Sequence, residues 1–414
     1  MVKKIKINSK PIIVKEDRFS TITFSYIFPC EREKKDIFIR LILKNLLLNS
    51  NYNYKEEDMY IKEKNKRMII SIYANTMTYN KITFIELCLS VPDPKVIKIF
   101  DLEKAFQFFH DSIYNPNMEN NSFIEKQFLR EKSYFNNDIL EFIKKPQSKA
   151  YQSFLDIVDD KGIIKRNDAV YNIDLLNQVT LEDVNNYYFK NIKNNTPLMF
   201  VSGNIDKEIE NMLKKYTTSK DIVIKSDYYD FLIPFKKVKI VEEESNCKES
   251  FLKVAYKVKN MKEEDLIYLE ITKNIIKSNR LMINKLRLEQ KLVYHTDISM
   301  YKFCGMLVIN ATLNNKSKDV AIKGIKEVIN SLLDENNLKL YLNNLIQNME
   351  YDLLRNLDSK YTKLDNTITN TLKYGATLEE KIKLYKNIDI EQLKSFVSRL
   401  KLDTIYFLRG EFNE

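Results

Sequence analysis

Within this 414-residue chain, the two side chains best spaced to act together on a substrate are Arg287 and Tyr294, in the run Leu286-Arg287-Leu288-Glu289-Gln290-Lys291-Leu292-Val293-Tyr294. Seven positions separate them, about two helical turns, so a helix that persists or stops just before Tyr294 puts both polar tips on one side. A guanidinium fork and a phenol aimed together can both donate hydrogen bonds to a peptide carbonyl. A surface arginine beside a half-buried tyrosine meets the same spacing, and the residues alone leave both readings open.

Other chemistries find little support. Histidine, the usual acid/base group, occurs only at His110 and His295. His110, in Phe106-Gln107-Phe108-Phe109-His110, reads as a helix-surface position. His295 follows Tyr294 on a strand, and a hairpin would bring Cys304 toward it as a Cys–His nucleophile pair, against the plainer reading of two unrelated residues. Cys30, Cys88, Cys247 and Cys304 are far apart, which points to buried reduced thiols rather than a disulfide frame or zinc knuckle. No Gly-rich phosphate loop is present.

The net charge of +10 arises from Lys and Arg interspersed with Asp and Glu, without an arginine-rich arm. That pattern describes a solvated surface and no nucleic-acid partner. Met1-Val2-Lys3-Lys4-Ile5-Lys6-Ile7 has charge but no apolar stretch after it, and apolar runs such as Leu46 to Leu48 are far too short to span a membrane. A cytoplasmic protein is expected.

The elements that must position Arg287 and Tyr294 read as one plan written twice. Only 6 Gly and 8 Pro punctuate the chain and 44% of residues are hydrophobic, so long helices and two ordinary cores are expected. In the first half a period-two strand at 21–28 precedes a helix at 36–49, then strands at 68–74 and 82–89 stopped by Pro92 and Pro94. Helices follow from Asp101 through Phe108 and over 122–142, 148–158 and 181–189, and the half closes on the strand Leu198-Met199-Phe200-Val201. The second half repeats the order with a strand at 251–258, a mostly helical 265–289, strands at 293–300 and 307–313, and helices at 320–333, 338–353, 361–372 and 390–400.

The closing segments match best. Thr180 with Asp183, and Asp389 with Gln392, have helix-capping spacing, and the terminal strands end at Gly203 and Gly410, 207 residues apart. The expected fold is α+β: two tandem homologous α/β-sandwich domains, each a mostly antiparallel sheet covered by helices. They are expected over 1–216 and 250–414, joined by a Lys/Asp/Glu-rich linker at 217–249.

This order, the Leu-Arg-x-x-x-x-x-x-Tyr stretch and Val201-Ser202-Gly203-Asn204-Ile205-Asp206 resemble the insulinase/pitrilysin family of zinc peptidases, in particular its small bacterial members and the mitochondrial processing peptidase subunits. The resemblance implies two homologous α+β domains per chain and two chains paired as a clamshell around a chamber. It also implies that Arg287 and Tyr294 bind the substrate carbonyl and its transition state. The family commonly places a Gly between that Arg and Tyr, where Lys291, Leu292 and Val293 stand here.

The family's zinc motif, His-x-x-Glu-His on the first long helix, falls on Leu41, Lys44 and Asn45, and the later-helix Glu ligand falls near Asp138. Leu41 has no donor atom and Lys44 has the wrong charge, so no metal ligand or catalytic group is expected in this chain alone. The stretch Phe123 to Lys132 is similar to members associated with elongation factor P modification, and comparable subunits accompany circular bacteriocin maturation.

The resemblance therefore implies a zinc-free subunit of a heterodimeric metallopeptidase, inactive alone, that helps process a peptide, such as a ribosomally made precursor. Zinc is then expected in a homologous partner chain. The competing expectation is a non-catalytic scaffold that presents a precursor peptide to another enzyme.

Overall fold

The computed structural model describes residues 3–31, 36–79, 82–159, 173–217, 220–226, 237–259, 261–372 and 376–410. In chain order the first strands and helices are β1 (Lys3–Asn8), β2 (Ile12–Lys15), β3 (Thr21–Glu31), α1 (Asp36–Leu48), α2 (Glu57–Lys66), β4 (Ser71–Tyr79), β5 (Ile82–Pro92) and α3 (Leu102–Tyr114). Then come β6 (Met118–Glu119), β7 (Ser122–Phe123), α4 (Glu125–Ile143), α5 (Pro146–Val158), α6 (Ile173–Gln178), α7 (Leu181–Tyr188), β8 (Leu198–Gly203), α8 (Lys207–Lys214) and β9 (Asp221–Ser226). The remainder comprises β10 (Lys239–Ser245), β11 (Ser250–Val258), α9 (Leu266–Ser278), β12 (Val293–Tyr301), β13 (Met306–Leu313) and α10 (Lys318–Ser331). The last elements are α11 (Glu335–Asn356), α12 (Thr362–Leu372), α13 (Leu378–Lys386), α14 (Ile390–Ser398) and β14 (Leu400–Gly410).

Two five-stranded sheets share one plan, with orders β2-β8-β3-β5-β4 and β10-β14-β11-β13-β12. In each, a short edge strand runs parallel to the strand that closes its half, and every other pairing is antiparallel. The same mixed order reached twice, with the strands in equivalent sequence positions, is the duplication read from the sequence.

Both faces of each sheet are covered. On β3, Phe24 and Tyr26 point toward α3, with Phe24 4.9 Å from Phe106 and Tyr26 5.5 Å from Phe109 between ring centroids. The alternate Ile27 lies on the other face with Phe84, Phe200 and the α12 residues Leu364, Ile368 and Leu372. In the second sheet, Leu252, Val254 and Tyr256 of β11 join Leu269 and Ile275 of α9, while Ala255 joins Ala150, Phe154 and Leu155 of α5. Double-sided burial explains why β5 and β8 are buried at every position instead of alternating.

Packing groups the chain into one unit of Met1–Ile139, Asn172–Tyr229 and Asn356–Thr377, and a second of Leu140–Tyr171, Asp230–Arg355 and Leu378–Glu414. Sequence continuity and packing thus divide the chain differently: α5 packs on the second sheet and α12 on the first. The stretch expected as linker carries two strands, β9 paired with β1 and β10 paired with β14. Thr180 and Asp183 form a reciprocal capping box at 3.1 and 2.9 Å, whereas Asp389 caps one way, accepting from Glu391 and Gln392 N–H. Among the described residues no helix is long and apolar enough to cross a membrane.

Candidate functional site

The stretch 265–289, expected to be mostly helical, is so in two pieces. α9 stops at Ser278, Arg280 takes a left-handed φ of 53°, and the chain resumes as a π-helix over Ile283–Glu289. Leu286, fully buried, anchors that π-helix in the core, and the next residue, Arg287, is exposed. Gln290 N–H reaches the Lys285 carbonyl at 3.2 Å, the wider ring that marks π geometry, a form concentrated at functional sites. Leu292 N–H returns to the Leu286 carbonyl at 2.8 Å, with Lys291 at φ 53° as the left-handed residue that ends the helix.

Tyr294 occupies the next irregularity. Val293 pairs with Leu313 and His295 with Thr312, so Tyr294 is the extra residue of a bulge at the start of edge strand β12. Its side chain is 53% exposed. Among the described residues neither Arg287 nor Tyr294 has a hydrogen-bonding or ionic partner. The π-helix, the left-handed Lys291 and the bulge each depart from regular geometry, and together they set where these two donors stand. The seven-residue spacing therefore does not act through a continuous helix.

Lys291 is not a glycine, and its Cβ makes the left-handed conformation unfavourable by about 1–2 kcal/mol, part of which the extra freedom of an unfolded glycine would offset. Lys291→Gly is expected to raise stability by about 0.5–1 kcal/mol in urea denaturation. A loss of stability would show that the left-handed turn is not strained.

The positions onto which the resemblance lays the metal motif are on α1. Leu41, Lys44 and Asn45 are half-buried, on the side away from the buried Ile42, Leu43, Leu46 and Leu47. The later-helix carboxylate that meets this face is Glu131 of α4, and Asp138, the position expected from the sequence, is exposed. Asn45 Nδ2 donates to Glu131 Oε2 at 2.7 Å, and Arg130 donates to Oε1 from Nε at 3.1 Å and Nη2 at 2.9 Å. Glu131 is only 6% exposed, and the Arg130 guanidinium supplies the positive charge that a buried carboxylate needs. The set does not fit zinc: Leu41 offers no lone pair, Lys44 is cationic, and both Glu131 oxygens are held by N–H donors. Among the described residues, no three His, Cys, Asp or Glu side chains are grouped to hold a metal ion.

The remaining sequence candidates separate. β12 and β13 do form the hairpin, but His295 pairs at its far end with Thr312 while Cys304 sits at the turn. The six residue steps of strand from His295 to Tyr301 cover about 20 Å at roughly 3.3 Å per residue, which keeps His295 far from Cys304 at the turn. Cys304 is buried in the core with Met306 and Val308. His110 is half-buried rather than on the helix surface, 4.6 Å from the Tyr114 ring and 5.0 Å from that of Tyr216, and burial lowers its pKa. All four cysteines are free thiols. A polar feature that the sequence reading passed over is Lys253, a buried lysine on β11.

Residues 178–345 match the family model described as Peptidase M16 inactive domain. A conserved protein from Enterococcus faecalis V583 superposes with a TM-score of 0.76 at 16% identity, over 100% of this chain and 99% of that one. A protease from Helicobacter pylori gives 0.67 at 15%, over 99% and 100%. The peptidase M16 inactive domain from Pseudomonas fluorescens gives 0.68 at 11%, over 97% and 96%. No curated protein sequence matches the chain. The insulinase/pitrilysin resemblance is borne out, in the family match over 178–345 and in the fold of the whole chain.

Proposed function

We propose that this peptidase-like chain is the zinc-free subunit of a two-chain metallopeptidase, contributing Arg287 and Tyr294 to a site whose metal and general base belong to a homologous partner. The observation that carries the reading is the contrast between its two sites. The positions that the resemblance assigns to the metal motif hold Leu41, Lys44 and Asn45, with Glu131 hydrogen-bonded by Asn45 and Arg130, whereas among the described residues Arg287 and Tyr294 are left without partners on irregular backbone.

In this reading Arg287 and Tyr294 donate hydrogen bonds to the substrate carbonyl, and the guanidinium gains most as negative charge develops on that oxygen. Their contribution needs no rearrangement, because neither must first leave an internal partner. The substrate is a peptide, and a ribosomally made precursor such as that of a circular bacteriocin fits the resemblance.

Native mass spectrometry of this chain mixed with a zinc-bearing insulinase-family subunit tests the pairing. The expected species is a one-to-one heterodimer with a single zinc, and this chain alone should carry none. A chain that stays apart from such a partner, yet binds precursor peptide tightly alone, would replace this reading with the scaffold.

A further inference from the structure

The second unit holds a largely apolar cavity, with a few polar groups in its wall, that the Arg287 and Tyr294 site does not use. It is about 460 Å³ and opens between α5 and the face of β11, β13 and β12, with Lys253, His295, Asp297, Ser299, Asn310 and Tyr151 among its lining. The bulge at Tyr294 sets this lining. Thr296 and Ile298 are buried on the helix side of β12, and the alternate His295, Asp297 and Ser299 turn to the cavity. Were Tyr294 instead paired within a regular ladder, His295, Asp297 and Ser299 would fall on the opposite face.

Lys253 is the unusual member. It is 9% exposed and donates to Asn310 Oδ1 at 2.8 Å, and its Nζ lies 5.6 and 5.8 Å from the ring centroids of Tyr151 and Phe154. Asn310 in turn donates to Ser299 Oγ at 3.1 Å, so the amide is held with its oxygen toward the lysine. Among the described residues Lys253 has no ion-pair partner. Of the other charged groups at the cavity, Asp297 faces Lys277 at 4.0 Å and Lys145 adds positive charge at the rim. On β10, two strands away from β11 in the sheet, Glu243 is held by Ser153 and Tyr406.

A lone ammonium with one neutral acceptor and two aromatic faces is poorly compensated for the water it has lost. Desolvation accordingly lowers the Lys253 pKa to about 8. A bound anion would supply the missing counter-charge, with the Ser299 hydroxyl and His295 as further donors and Phe142, Phe251 and Tyr151 as apolar walls.

We propose that this cavity binds a carboxylate of a peptide, from its C-terminus or an acidic side chain next to an aromatic residue, through Lys253. The proposal rests on the reading of the chain as a peptide-binding subunit and adds a second point of attachment, within the second unit alone.

Calorimetric titration of this chain with N-acetyl-Phe-Ala-Phe as the free acid, as its C-terminal amide, and with amidated N-acetyl-Phe-Glu-Phe tests it. At least one carboxylate peptide should bind about tenfold or more tighter than the uncharged amide, the margin of one charge-assisted hydrogen bond. Which one does so identifies the source. Lys253→Met should abolish the preference and Lys253→Arg should keep part of it. Equal affinities for all three probes, no binding of any, or a preference that survives Lys253→Met would overturn the proposal. Should Lys253→Met fail to fold, competition by acetate against the preferred peptide in the unaltered chain decides the same point. If turnover of the two-chain enzyme depends on Arg287 while the probes bind equally, only the cavity assignment fails.

Discussion

Replacing Arg287 by alanine in the assembled two-chain peptidase is expected to lower turnover by about 10²-fold or more, the scale of losing one donor to a developing oxyanion. Arg287 is exposed and, among the described residues, without a partner, so its removal should leave stability within about 0.5 kcal/mol of the parent chain. That separation makes the variant informative. The loss should appear in kcat, with peptide affinity little changed, because the guanidinium gains most in the transition state. Tyr294→Phe should act in the same direction by a smaller amount, since a neutral donor is lost instead of a charged one. Steady-state kinetics of the pair reads both, and an unchanged kcat in Arg287→Ala would remove this residue from the site.

The second large effect concerns the fold. Phe154 of α5 is fully buried among Ala255, Met306, Val308 and Tyr406. Truncation to alanine leaves a void in the second unit and should cost about 3–5 kcal/mol. Hydrogen exchange should then report weakened protection in β11, β13 and β14, with β3 and β5 little affected, although Phe154 precedes both closing strands in sequence. Loss of protection in β3 and β5 instead, or a cost below about 1 kcal/mol, would contradict the assignment of α5 to the second unit.

Much of the architecture is legible in the residues because the two periodicities are distinct. The alternation at 21–28 and the helical stretches at 36–49, 361–372 and 390–400 each fall on the element observed. The strands left unread are short, like β2, or charged on an edge, like β10 with its run Glu242-Glu243-Glu244, where one row of backbone groups rather than side-chain burial carries the pairing. The positions of α5 and α12 are not legible either. An amphipathic helix declares that it has an apolar face and says nothing of which sheet receives it.

Site residues divide the same way. That Leu41 and Lys44 are poor zinc ligands follows from side-chain chemistry, which needs no coordinates. The partner of Asn45 does, because the chain between α1 and α4 fixes which residue of α4 comes opposite, and that residue is Glu131 instead of Asp138. Arg287 and Tyr294 were visible as a spaced pair. The π-helix and bulge that hold them were not, since both insert a residue into a regular period and leave no compositional mark. Lys253 stayed hidden because a single lysine in the strand Ser250–Val258 reads as an outward residue until α5 is known to cover that face.

The central claim is that this chain completes an active site whose metal lies in another chain. Titrating it into a fixed amount of the zinc-bearing subunit, with cleavage of the precursor peptide as readout, tests that claim most directly. Activity should be negligible for either chain alone, rise linearly, and level off at one-to-one, with the Arg287→Ala chain reaching the same equivalence point at a plateau about 10²-fold lower. Full activity of the zinc-bearing subunit by itself, unaltered by addition of this chain, would contradict the account.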